Sequence, residues 1–182
     1  MIRLGSNSPT RALILNNFKI DFIQNGGSFD EDSITTTNPK SFVYEATMGK
    51  YNELYKKYGV DDMPLLVADS VVTANGELLR KAKDEKDARR MLNLQSSNET
   101  SVITCMKYKS KEIEIVDISI TTYGFNKFEV EDIEAYIKSG ECFGKAGAIM
   151  VEGFCKPYIR DVKGYESTAM GLCIEKLMPY LV

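Results

Sequence analysis

The chain has 182 residues, 43% of them hydrophobic, which is enough to build one domain with its own core over residues 1–182. Its net charge of −3 lacks the basic excess of a protein that grips a nucleic-acid polymer or an anionic membrane surface, so neither partner is expected. The absence of histidine excludes Ser-His-Asp and Cys-His nucleophiles and leaves acid–base work to Asp, Glu, Lys or Tyr. Cys105, Cys142, Cys155 and Cys173 form no C-x-x-C pair and read as buried free thiols. No apolar run approaches the roughly 18 residues of a membrane span, and the opening residues lack the apolar stretch of a signal peptide. The expected compartment is the cytoplasm.

Ile2 to Gly5 reads as a short strand. Ser8 then fits a helix N-cap and Pro9 the first helical position, with Ala12, Leu13 and Leu15 supplying apolar contacts. A second helix is predicted from Pro39 to Tyr58, capped by Asn38, stopped by Gly59, and striped by Val43, Ala46, Leu54 and Tyr58. Residues 64–79 predict a buried strand, an Asn75-Gly76 turn and a return strand. Asp84 caps the next helix, which turns Ala88, Met91 and Leu92 inward. Two β-rich runs follow, and in the second the apolar phase passes from Ile113 and Ile115 to Ile118 and Ile120, predicting a bulge or two buried faces. A helix over Glu131–Ser139, a Gly-rich turn, a strand over Pro157–Val162 and a helix from Ser167 to Leu181 complete the pattern. Hairpin and crossover connections interleaved with helices predict an α/β fold with a mixed β-sheet flanked by helices.

Ser6, Ser8 and Arg11 sit where a strand turns into a helix. They fit an ordinary cap with a solvated arginine, and they equally fit a phosphate cradle on the helix's unpaired amides. Asp69 interrupts a run of buried residues, and a carboxylate there needs a cation, a metal or hydrogen-bond donors, unless it sits at a solvent-facing strand end. Lys50 lies on the helix face shared with Ala46 and Leu54, either snorkelling to water or, with Lys81 and Lys83, neutralising a polyanion. Asp30, Glu31 and Asp32 supply the hard oxygens that Mg²⁺ prefers, or simply a polar loop.

In order and spacing, these segments resemble the Maf family of nucleoside triphosphate pyrophosphatases along essentially the whole chain. The family's S-x-S-P-R-R opening is matched by Ser6-Asn7-Ser8-Pro9-Thr10-Arg11, with Thr10 in place of the first arginine. Its acidic pair falls on Asp30 and Glu31, its helical lysine on Lys50, and its G-A-D-T-V segment on Val67-Ala68-Asp69-Ser70-Val71. E-K-P-x-D becomes Arg80-Lys81-Ala82-Lys83-Asp84, and K-A-G-x-x-x-[QE]-G is matched from Lys145 to Gly153, with Glu152 at the variable position. The closing G-L-P survives as Gly171-Leu172-Cys173.

The resemblance implies a Maf/ITPase-like fold with a substrate cleft between two lobes. It also implies metal-dependent hydrolysis of a noncanonical, modified or surplus nucleotide to a monophosphate and pyrophosphate, with a house-cleaning and cell-division-arrest role. By residue, it assigns catalysis to Asp69, substrate binding to Ser6, Ser8, Arg11, Lys50, Lys81 and Glu152, and Mg²⁺ or Mn²⁺ to Glu31 and Asp69. Thr10 and Glu152 lean toward members that act on 7-methyl-GTP rather than dTTP or UTP. The resemblance is compatible with a homodimer. The competing class is a nucleotide-binding regulator with little turnover, and a phosphatase of small phosphoesters would differ again by releasing orthophosphate.

Overall fold

The computed structural model describes residues 1–181. Its centre is a mixed seven-stranded sheet in the order β2-β1-β3-β5-β6-β7, with β4 paired to β3. The strands are β1 (Ile2–Leu4), β2 (Phe22–Gln24), β3 (Leu65–Ala74), β4 (Glu77–Leu79), β5 (Glu99–Lys109), β6 (Glu114–Phe125) and β7 (Ile159–Lys163). The helices are α1 (Pro9–Asn17), α2 (Pro39–Tyr58), α3 (Glu85–Gln95), α4 (Val130–Ser139), α5 (Glu166–Ala169) and α6 (Ile174–Leu177). β1 pairs in parallel with both β2 and β3, whereas β3–β4 and β6–β7 are antiparallel. Among the described residues no helix is long and apolar enough to cross a membrane.

Contacts divide the chain into two compact units. The first comprises residues 1–70, 104–119 and 165–182, and the second residues 71–103 and 120–164. In the first unit β3 is covered on both faces, as a central parallel strand requires. Leu66 and Ala68 join Leu4, Ile14, Leu15, Met106, Leu172 and Ile174 in one cluster. Leu65 and Val67 point the other way, against Tyr51, Leu54 and Val60. In the second unit Phe125, Phe128, Tyr136, Phe154 and Tyr158 form a chain of ring contacts, the closest being Tyr136 stacked on Phe154 at 4.4 Å. The four cysteines are free and buried, and burial pushes the Cys155 thiol up to about 12, so that thiol fills space rather than reacts.

The predicted caps hold. The Ser8, Asn38 and Asp84 side chains each accept an N–H from the first turn of their helix, and Gly59 stops α2 at φ +59°. Asn75 and Gly76 both take positive φ in the β3–β4 hairpin. Four details differ from the sequence reading. In α1 it is Ile14, not Leu13, that is buried beside Leu15; Leu13 is exposed. In β6 the alternation holds up to Tyr123, with Ser119, Thr121 and Tyr123 buried and Ile120 exposed, so the phase change expected at Ile118 and Ile120 is an outward apolar residue rather than a bulge or a second buried face. The irregularity in that region lies against β7, between Gly124 and Phe125. β7 starts at Ile159 because Lys156–Tyr158 form a 3-10 turn. Finally, the helix predicted over Ser167–Leu181 is broken into α5, α6 and a 3-10 turn by Gly171 at φ +105°.

Candidate active site

The site grows from the parity of β3. Consecutive strand residues face opposite sides, so Asp69 follows Leu65 and Val67 toward α2 while Ser70 follows Leu66 and Ala68 toward α1. On the α2 side, Lys50 lies one helical turn before Leu54 and meets the strand at its middle, at Asp69. Its Nζ is 2.5 Å from Asp69 Oδ1 and 2.7 Å from Glu31 Oε1, bridging the two carboxylates. Asp69 is buried, and Lys50 and Glu31 are half-buried. The cation that a buried Asp69 requires is therefore Lys50. Asp69 Oδ2 nevertheless remains buried without a hydrogen-bond partner.

Glu31 is delivered by a short 3-10 turn over Glu31–Ser33, which Asp30 caps by accepting the Asp32 N–H at 2.9 Å. The loop before it is tied to α2 by Glu53, which accepts the backbone N–H of Ser28 at 2.9 Å and its hydroxyl at 2.9 Å. Those donors, the backbone one foremost, hold the Glu53 carboxyl below the usual range.

On the α1 side, the opening turn is folded around Arg11. Ser8 Oγ accepts the Arg11 backbone N–H at 3.3 Å, and Ser6 Oγ accepts from Ser8 N and from Arg11 Nη1, both at 3.1 Å. Gln24 of β2 donates to the carbonyls of Ser6 and Ser8 and pins the turn from below. Arg11 Nε donates to the Gly171 carbonyl at 2.7 Å, and Nη2 donates to Ser70 Oγ at 3.3 Å. Three of the five N–H donors of a guanidinium are thus engaged, leaving one on each terminal nitrogen for a ligand. Burial pulls the Arg11 pKa below the usual arginine range, and the negative charges of Asp69 and Glu31 oppose that shift. Ser6 and Ser8 each accept protein N–H groups through Oγ and retain their own hydroxyl proton to donate.

Six residues singled out in the sequence belong to the first unit, in two groups: Ser6, Ser8 and Arg11 are joined by hydrogen bonds, and Glu31, Lys50 and Asp69 by ion pairs. Lys81 and Glu152 belong to the second unit. There Lys81 is paired in an isolated antiparallel bridge with Ala146, and the Gly147 N–H donates to the Arg80 carbonyl at 2.9 Å, joining the two lysine-bearing motifs through their backbones. Glu152 is exposed in the turn that follows. Ser70, Thr104 and Gly171 were not identified from the sequence as site residues. Gly171 stood only as a motif remnant, and Ser70 only as the neighbour of Asp69.

The fold and site together define an α/β protein that holds a fixed arginine against one face of the middle of its central strand and a lysine bridging two carboxylates at the other. Residues 1–182 match the family described as Maf-like protein, and the chain belongs to that family. It is 50% identical over 179 residues to a nucleoside triphosphate pyrophosphatase of Nitratiruptor sp., covering 97% of this chain and 96% of the relative. It is 38% identical over 175 residues to one from Helicobacter pylori, covering 96% and 92% of the two chains. A Campylobacter jejuni protein of the same name is 35% identical over 183 residues, the full length of both.

Proposed function

We propose that this chain is a nucleoside triphosphate pyrophosphatase that cleaves between the α and β phosphates, releasing a nucleoside monophosphate and pyrophosphate. The observation that carries the reading is Asp69: a buried carboxylate paired through one oxygen to Lys50 and left without a donor on the other. An unsatisfied buried acceptor costs about 1–3 kcal/mol, a cost that a divalent cation or a bound water removes. Among the described residues no three His, Cys, Asp or Glu side chains gather as a metal site. Glu31 and Asp69 are the carboxylates that would hold Mg²⁺ or Mn²⁺, an ion that commonly takes only one or two protein carboxylates beside substrate phosphates. When bound, the cation would withdraw charge from the phosphates and stabilise the departing pyrophosphate.

Asp69 accepts the proton of the attacking water as the new P–O bond forms at the α phosphorus. The bridging α–β P–O bond breaks and its electron pair leaves with pyrophosphate. Arg11 and Lys50 offset the negative charge that develops there. The hydroxyls of Ser6 and Ser8 donate to phosphate oxygens. Glu152 reads the base: a carboxylate accepts from the N1–H and exocyclic amine of guanine, which, together with Thr10, favours a 7-methyl-GTP-like purine over dTTP or UTP. Such an enzyme clears modified or surplus nucleotides in the cytoplasm, with a role in cell-division arrest, and a homodimer is compatible with it.

One observation favours a second reading, a nucleotide-binding regulator: with Thr10 in place of an arginine, Arg11 meets the phosphates alone and with most of its donors already engaged. Pyrophosphate release across a nucleotide panel, with Mg²⁺ and with chelator, separates the two. Release that chelator abolishes supports the enzyme, and binding without release supports the regulator. Asp69→Asn is expected to lower turnover at least about 100-fold while the protein stays folded by circular dichroism. Unchanged release by the folded variant removes Asp69 from the chemical step.

A further inference from the structure

Thr104 lies on β5, is 1% exposed, and belongs to none of the signatures that mark the site. Its Oγ1 is 2.8 Å from the Thr168 carbonyl and 2.7 Å from Ser70 Oγ. A carbonyl oxygen only accepts, so the single proton of Thr104 goes to Thr168. The bond to Ser70 then has one possible direction: Ser70 donates and Thr104 accepts. With its own proton committed, Ser70 offers Arg11 Nη2 a lone pair. The hydrogen bonds therefore run one way, from Arg11 to Ser70 to Thr104 to the backbone of α5.

Gly171 completes the socket. Its carbonyl holds Arg11 Nε, and a Cβ added there would stand 3.2 Å from that same Nε and 3.4 Å from Ser70 Oγ, on a backbone with φ +105°. The guanidinium is thus fixed along one edge by Gly171 and Ser70 and at Nη1 by Ser6, with one N–H on each terminal nitrogen outside these contacts.

We infer that Thr104 is a positioning residue of the phosphate site: through Ser70 it sets the orientation of the Arg11 guanidinium, on whose phosphate contact the proposed pyrophosphatase reading rests. If the Thr104 hydroxyl is removed, the Ser70 proton loses its acceptor and is free to turn toward Arg11, where it repels the Nη2 donor. Arg11 then has two settled contacts instead of three, and its fork loses its fixed direction.

The test uses the full-length protein and the variants Thr104→Val, which keeps the shape, and Thr104→Ser, which keeps the hydroxyl. The first readout is the Arg11 Nη2–H resonance, the donor to Ser70, assigned at low temperature through its loss in Arg11→Lys and followed by hydrogen exchange. Thr104→Val is expected to speed its exchange about tenfold, the worth of one hydrogen bond, and Thr104→Ser to leave it near the wild-type rate. An Arg11 Nη2–H signal unchanged in Thr104→Val overturns the inference whether or not the protein turns over nucleotide. The second readout is pyrophosphate release, where Thr104→Val is expected to lose about tenfold in kcat/KM, Thr104→Ser to recover most of it, and Thr104→Val in a Ser70→Ala background to cost nothing further. Equal losses in the Ser70 and Ser70→Ala backgrounds would mean that Thr104 acts by another route. A wild-type protein that binds nucleotide without releasing pyrophosphate would refute the enzyme reading alone, because the Arg11 resonance still decides the role of Thr104.

Discussion

One ammonium group serves two carboxylates in this protein, and the imbalance is concentrated at Asp69. Lys50 lies within 2.7 Å of Glu31 and 2.5 Å of Asp69, and Asp69 is only 6% exposed. Removing Lys50 strands a charge in the interior, which costs more than losing a surface pair and, because Lys50 itself reaches solvent, less than losing a fully buried one. Lys50→Met is accordingly expected to lower stability by about 2 kcal/mol in urea denaturation. Adding Asp69→Asn should return part of that loss, since the stranded charge is then gone. Additive losses in the double variant would show that the pair does not account for the effect. Asp69 and Lys50 were legible in the sequence because a carboxylate in a buried strand and a lysine on a buried helix face each demand a partner. Arg11 reads as either a solvated cap residue or a phosphate ligand, and its protein anchors were not legible: Ser70 lies 59 positions away and Gly171 lies 160 away. A serine or a glycine carries no sign of misfit that would draw attention to it.

Among the elements, the helices with strong caps were read correctly because a cap is a local arrangement, complete within four residues of sequence. The C-terminal segment was misread for the opposite reason. Its apolar spacing suits a helix, yet Gly171 is held at positive φ by tertiary contact with Arg11, and one long helix gives way to two short ones. In β6 the outward Ile120 confused the pattern, since apolar residues also occur on exposed sheet faces. The neighbouring β5–β6 hairpin carries an electrostatic consequence. Glu114 is gripped by Lys107 at 2.6 Å and Lys109 at 2.7 Å, and these hydrogen bonds lower its pKa from 4.5 to about 2. A carboxyl with a depressed folded-state pKa contributes stability above its unfolded pKa and loses it on acidification. The contribution is therefore full above pH 4.5 and fades as the pH falls toward 2. Because Glu114 is well exposed, the effect is small and screened by salt. Unfolding midpoints measured across that range should fall less steeply for Glu114→Gln than for wild type, and 1 M salt (a Debye length of about 3 Å) should narrow the difference. Parallel slopes for the two proteins would show that the lysines do not hold Glu114 as described.

Over the whole molecule, the first unit is assembled from three stretches that are far apart in the chain, residues 1–70, 104–119 and 165–182. The last stretch has the burial of a core element. Leu172, Ile174 and Leu177 are each 0% exposed and pack with Leu4, Ile14 and Leu66. Burying such a side chain contributes about 1.5–3 kcal/mol, so these three together match much of the roughly 5–15 kcal/mol by which a domain is stable at all. The same stretch supplies the Gly171 carbonyl that holds Arg11 and the Thr168 carbonyl that receives the Thr104 proton. Core and site therefore depend on one segment, and cutting the chain before Tyr165 should abolish both. The truncated protein is expected to lose the cooperative thermal transition of the first unit and all pyrophosphate release. Supplying residues 165–182 in trans should restore little of either, because the loop-closure entropy saved by a covalent connection must then be paid as association. A truncated protein that retains wild-type melting and loses only turnover would place the segment in the site but outside the core, contrary to the burial of its three aliphatic residues.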